Sequence, residues 1–175
     1  ERAISRGTGA GDEGNLEEVL YEALGPGGMA LMIEAVTDNR NRTSGNVKAI
    51  LSKYGGALAG MGAVKWQFDR KGVIRVAREM LPSDREQFEL ELIDQGADDA
   101  LWEEEGLTVY TAPEQLPALV TFLEGRSIAI QGAELEWIPK NVVEVSDEET
   151  RKNLDIIFEK LESDDDVTNY ASNEA

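Results

Sequence analysis

Two hydrophobic periods alternate along this chain. Residues 19–24 and 29–36 are apolar runs separated by Gly25-Pro26-Gly27-Gly28, a turn cluster that predicts an antiparallel hairpin. The near-continuous Met29-Ala30-Leu31-Met32-Ile33 marks a strand covered on both faces. The period then lengthens. Val47, Ile50, Leu51 and Tyr54 fall at i, i+3, i+4 and i+7, one face of a helix that Thr43 or Ser44 would cap and Gly55-Gly56 would end. It shortens again at Val64, Trp66 and Phe68, which alternate with Lys65, Gln67 and Asp69 and predict a strand with Trp66 packed inward and Lys65 outward. Arg70-Lys71-Gly72 reads as a turn into a further strand, Val73-Ile74-Arg75-Val76.

From Val73 the order is regular. Ser83-Asp84-Arg85-Glu86 has the form of a capping box opening a helix that buries Phe88 and Leu92 and closes at Gly96. Strands at 100–102 and 107–110 flank an acidic turn at 103–105. Thr111-Ala112-Pro113-Glu114 caps a second helix with Leu116, Leu119, Val120 and Leu123 at core spacing, although Pro117 leaves its first turns open. A strand at 133–138 completes the βαββαβ order of a ferredoxin-like domain. Ser146-Asp147-Glu148-Glu149 then caps a helix carrying Leu154, Ile157, Phe158 and Leu161, and a short segment follows at 167–170. Neither end of the chain can cover its apolar faces alone, so the two are predicted to complete each other. The expected class is α+β: two α+β domains, one ferredoxin-like (72–138) and inserted into the other (17–71 with 139–175). Residues 1–16 read as the last turn of an N-terminal helical domain followed by a glycine-rich linker.

Composition narrows the chemistry. The 175 residues contain no cysteine and no histidine, which excludes disulfides, thiol nucleophiles and the commonest general base and transition-metal ligand. The longest apolar run, 29–36, is far short of the roughly 20 residues a membrane helix needs and contains Glu34. A metal-dependent enzyme would have to use Asp98, Asp99 or Asp164-Asp165-Asp166, and none has calcium-loop spacing. No cofactor or metal is predicted. The glycine-rich turn at 25–28 lacks a following Gly-Lys-Ser/Thr and opens onto a strand, so it does not read as a phosphate loop.

Charge is divided unevenly. The formal net charge is −18, yet residues 36–78 hold nine basic residues against two acids. Residues 79–175 hold 6 Lys+Arg and 26 Asp+Glu, and would repel a nucleic-acid backbone. A polyanion would therefore meet the first half. The candidate contacts are Arg40, Arg42, Lys48, Lys53, Lys65, Arg70 and Lys71, with Arg40 and Arg42 beside the N-terminus of the first helix, where free N–H groups suit a phosphate; the alternative is that these two arginines pair with local acids or stay in water. Lys48 and Lys53 flank opposite sides of the apolar stripe, so the seven cannot all share one surface. A competing reading makes the acidic half a protein-interaction module that docks a basic partner without touching nucleic acid.

The Glu34-Ala35-Val36-Thr37-Asp38-Asn39-Arg40-Asn41-Arg42-Thr43 block, with Gly25-Pro26-Gly27-Gly28 before it and Lys53-Tyr54-Gly55-Gly56 and Phe68-Asp69-Arg70-Lys71-Gly72-Val73-Ile74 after it, resembles the YebC/PmpR family. Gly96-Ala97-Asp98-Asp99, Ile138-Pro139-Lys140-Asn141 and Asp165-Asp166-Val167 extend the resemblance in order over the chain. It implies three domains, with residues 1–7 the tail of a basic N-terminal helical one. It also implies a non-enzymatic regulator of gene expression: a cytoplasmic DNA-binding transcriptional regulator, or a ribosome-associated translation factor that relieves stalling at proline-rich stretches. The mitochondrial relative activates cytochrome oxidase subunit synthesis. The expected partner is DNA or ribosomal RNA, met by a monomer in the cytoplasm, or in the mitochondrial matrix of a eukaryote. The family has no agreed catalytic residues, and none is implied here.

Overall fold

The computed structural model describes residues 15–175, and the chain divides into two compact units: one runs to Gln67 and resumes at 141–175, the other is Phe68–Lys140. The helix end and most of the linker expected at 1–16 lie outside the described residues.

In the first unit β1 (Glu17–Leu24) and β2 (Ala30–Thr37) form the hairpin, paired from Glu17↔Thr37 to Leu24↔Ala30. Gly27 and Gly28 hold φ of 73° and 79° in the connection, left-handed values that glycine adopts without strain. A short β3 (Ala57–Leu58) joins β1, and β8 (Val167–Ser172) joins β2, giving the order β3-β1-β2-β8. Helices α1 (Arg40–Lys53) and α4 (Glu148–Glu162) supply the apolar faces this sheet requires. Val47, Leu51, Ile157 and Leu161 meet Ala23, Leu31 and Ile33 in a fully buried cluster, with Ile50 and Tyr54 packed against it. β8 is fixed by its side chains as well as its ladder. Phe158 stacks on Tyr170 with ring centroids 5.1 Å apart, and the buried Asn173, the residue after the strand, accepts a hydrogen bond from the Ala30 N–H at 2.8 Å.

The second unit is built from β4 (Phe68–Ala77), α2 (Arg85–Asp94), β5 (Ala97–Trp102), β6 (Gly106–Thr111), α3 (Leu116–Gly125) and β7 (Ile130–Pro139). Its antiparallel order, β5-β6-β4-β7, is the ferredoxin-like arrangement, and the fold is the α+β class with one such unit inserted between two parts of the other. Ile74, Val76, Phe88, Leu92, Leu107, Val109, Leu119 and Leu123 form its core.

Three local readings need correction. α1 is capped by Asn39, whose side chain accepts from the Arg42 N–H, rather than by Thr43 or Ser44, so Arg40 and Arg42 sit inside the first turn and not before it. Residues 65–67 are a 3-10 turn, not a strand, and Trp66 is 68% exposed instead of packed inward. Arg70-Lys71-Gly72 does not turn: β4 runs through it without interruption. Glycine is there for closeness. A Cβ at Gly72 would lie 2.9 Å from Leu116 Cβ and 2.9 Å from Thr111 Cγ2. Smaller shifts follow the same logic of caps. Asp84 rather than Ser83 caps α2, and a 3-10 turn at Pro113–Gln115 precedes α3, so Pro117 falls in a first turn where its missing N–H costs nothing.

Candidate functional site

The first turn of α1, expected to suit a phosphate, already has a carboxylate beside it. Asp166, just before β8, accepts from the Thr43 hydroxyl at 2.7 Å and from Arg42 Nη2 at 2.9 and 3.0 Å. Asp38 takes a second contact from the same nitrogen at 2.8 Å. Thr43 is fully buried and also meets the buried Thr37 hydroxyl at 2.7 Å, while the Thr37 oxygen accepts from the Asn39 N–H at 2.9 Å. The backbone of Asp166 is fixed too: its carbonyl accepts from the Val36 N–H at 2.8 Å, and its N–H donates to Asp164 Oδ1 at 3.0 Å.

The electrostatics follow from this geometry. Burial alone would push the Asp166 carboxyl up, but the Thr43 hydroxyl and the Arg42 guanidinium outweigh it and bring the group below its ordinary value. The hydrogen bond from Arg42 to Asp166, then that to Asp38, raises the Arg42 guanidinium. Two arginines in the first turn of a helix oppose its dipole, and the half-buried Asp166 carboxylate on Arg42 offsets that cost. Arg42 is therefore a latch between β2, α1 and the segment leading to β8. Of the run Asp164-Asp165-Asp166, Asp165 is exposed to solvent, while Asp166, with Asp164 accepting from its N–H, ties the segment before β8 to α1.

The other candidates are less engaged. Arg40 leaves 63% of its side chain exposed, with Glu17 at 3.7 Å. Lys48 and Lys53 are exposed on α1, the latter with its ammonium 5.5 Å from the Tyr54 ring centroid. α1 thus carries four cations and no acid over its whole length. Lys65 is exposed, and its backbone N–H donates to Glu22 at 2.9 Å. Arg70 and Lys71 belong to the second unit, where the Arg70 guanidinium lies 5.0 Å from the Trp137 ring centroid and Lys71 pairs with Asp98 at 2.9 Å. The seven residues are divided five and two between the units.

Glu22 was missed. It is 6% exposed in β1, and its carboxylate accepts from the N–H groups of Gly62 (2.5 Å), Val64 (2.8 Å) and Lys65 (2.9 Å). Burial would raise its pKa, but these three donors, with the Lys65 charge, bring it below the ordinary value. The signal was present: a charged residue in the apolar run Val19-Leu20-Tyr21-Glu22-Ala23-Leu24 needs buried partners. Among the described residues, no three carboxylates gather as a metal site would require, and no helix is long and apolar enough to cross a membrane.

Comparison with known proteins gives a consistent result. A family model described as the TACO1/YebC second and third domain matches residues 16–174. A protein of Desulfitobacterium hafniense is 40% identical over 173 residues, covering 99% of this chain and 69% of that protein. A protein of Lactiplantibacillus plantarum is 42% identical over 168 residues, covering 96% and 69%. Both bear the name "Probable transcriptional regulatory protein". The crystal structure of a conserved hypothetical protein from Aquifex aeolicus is similar to this chain with a TM-score of 0.85 and 37% identity, over 99% of this chain and 71% of that one.

Proposed function

This chain belongs to the TACO1/YebC family, and from that premise we propose that it is a regulator of gene expression that associates with nucleic acid in the cytoplasm and catalyses no reaction. The observation that carries this reading is α1: four cations and no acid in a chain of net charge −18, with Arg40, Lys48 and Lys53 open to solvent. Such a helix meets phosphates by charge and not by reading bases. Arg40, Lys48, Lys53 and Lys65 are the proposed contacts, with Lys48 and Lys53 meeting different phosphates from the two sides of the helix. Arg42, Arg70 and Lys71, each engaged within its own unit, add to the local field.

Between DNA and ribosomal RNA we favour ribosomal RNA, and with it the translation role that the resemblance implies at proline-rich stalls. A chain with 26 acids in residues 79–175 tolerates a polyanion along only a limited face, and folded RNA offers limited contacts where a long duplex does not. The names of the relatives speak of transcriptional regulation; the translation role rests on the resemblance and the charge argument, and sedimentation decides between them. In lysate, the tagged chain is expected to sediment with ribosomes, and the triple variant Arg40→Glu, Lys48→Glu, Lys53→Glu to lose that retention. Equal retention of both would remove the assignment.

A second reading rests on the inserted unit. Residues 68–140 hold 16 acids and 7 bases, and Leu90, Ile93 and Leu101 are 59%, 56% and 48% exposed. An acidic surface with exposed apolar residues suits a basic protein partner. Retention of a partner after nuclease treatment would favour it.

A further inference from the structure

The loop between β3 and β4 presents two large apolar side chains to solvent from a backbone that is unusually well held. Met61 is 101% exposed and Trp66 68%. Scattered exposed apolar residues need no explanation, but these sit on a short loop that the fold has fixed at a cost. Glu22, a buried carboxylate, spends its three hydrogen bonds on the N–H groups of Gly62, Val64 and Lys65, and its backbone carbonyl accepts from the Ala59 N–H at 2.8 Å. Val64 is buried as an anchor at 1% exposure. The Gln67 N–H closes the turn on the Val64 carbonyl at 2.9 Å. Such an arrangement holds Trp66 in place before any partner arrives.

How the indole is held narrows what it can bind. Its Nε1–H donates to the Ala63 carbonyl at 3.0 Å, inside the loop. The polar edge is therefore used, and the π face is what remains for a partner. With the N–H already satisfied inside the loop, that face is all that base stacking needs. Lys65, adjacent in sequence and exposed, adds a cation to the same turn, in the stretch 36–78 where basic residues outnumber acids nine to two. We propose that Trp66 is a stacking platform for one unpaired nucleobase, with Lys65 meeting the adjoining phosphate and Met61 bordering the base. This inference rests on the nucleic-acid reading above and adds base contact to a surface otherwise read as meeting phosphates only.

The test titrates the chain with a short oligouridine RNA, the same strand carrying abasic sites, and a duplex RNA, following tryptophan fluorescence and anisotropy of the labelled strand. Wild type is expected to bind oligouridine with tryptophan quenching. Trp66→Ala is expected to weaken it about ten-fold or more, Trp66→Phe to retain most affinity, and the abasic strand to bind wild type as weakly as oligouridine binds the alanine variant. Trp66 is exposed, so circular dichroism should show the variants folded. If the alanine variant and the abasic strand bind as well as wild type with oligouridine, stacking is overturned while nucleic-acid binding stands. Absence of binding by wild type to any of the three overturns both readings. Unchanged RNA affinity of Trp66→Ala, together with loss of a protein partner that survives nuclease, reassigns the loop to protein docking and also overturns stacking.

Discussion

Replacing Asp166 with alanine tests whether the carboxylate at the head of α1 holds the first unit together. The substitution leaves Arg42 with the exposed Asp38 and removes the 2.7 Å acceptor of the buried Thr43 hydroxyl, which keeps only the Asn39 carbonyl at 3.2 Å and the Thr37 oxygen. Hydrogen bonds to a charged group contribute about 1.5–3 kcal/mol, so a loss of about 2 kcal/mol is expected. Asp38→Ala removes an exposed i,i+4 pair and should cost about 0.3–0.5 kcal/mol. In urea unfolding followed by far-UV circular dichroism at pH 7, with m about 2 kcal/mol/M, Asp166→Ala should lower the midpoint by about 1 M and Asp38→Ala hardly at all. The pH dependence supplies a second arm. The native pKa of Asp166 lies below its unfolded value, so its contribution is fully present above about pH 4 and is lost as pH falls through the native value. The gap between wild type and Asp166→Asn should therefore close in acid. An Asp38→Ala effect as large as that of Asp166→Ala, or a gap unchanged at pH 3, would refute the latch.

Other consequences are as direct. Glu22→Gln keeps the shape but offers one carbonyl oxygen where three N–H groups converge, and should cost about 1–3 kcal/mol. Hydrogen exchange at the Val64 and Lys65 amides should rise with it. Glu22 also has a lowered native pKa, so this cost too is present at neutral pH and fades in acid. Gly72→Ala forces a Cβ against Leu116 and Thr111 and should destabilise by about 1–3 kcal/mol, read as a lower thermal midpoint with near-native circular dichroism below it. Asp166→Asn releases Arg42 from its main partner and removes one negative charge beside α1. If the helix meets RNA, that variant should bind RNA more tightly than wild type under conditions where it remains folded, despite its lower stability.

Much of the architecture was legible because it depends on local rules. The Gly25-Pro26-Gly27-Gly28 connection needs two left-handed residues, and only glycine supplies them without strain. The stripes of α1, α3 and α4 name their own buried residues: Val47 and Leu51, Leu119 and Leu123, Leu154 and Leu161 are all fully buried. What stayed hidden was decided at long range. Thr43 looked like a cap because caps and buried hydrogen-bonding threonines use the same residue; its partner Asp166 is 123 positions away. The alternation of Val64, Trp66 and Phe68 fitted a strand, but Glu22, some 40 residues earlier, draws three successive-region N–H groups to itself and curls the segment into a turn. Arg70-Lys71-Gly72 had the composition of a turn, and the glycine answers instead to the crowding of Leu116. The basic residues of the candidate site could be counted in the sequence. Which of them had internal carboxylates could not.

The proposed contact surface stands or falls on the salt dependence of binding. Anisotropy of a labelled single-stranded ribosomal RNA fragment, measured across a range of salt concentrations, should show log K falling linearly with log salt. Each phosphate contact contributes about 0.7 to that slope for a single strand, so Arg40→Gln with Lys48→Gln and Lys53→Gln should flatten it by about 2 and weaken binding. A triple variant with the wild-type slope and affinity would mean that α1 does not meet the phosphates.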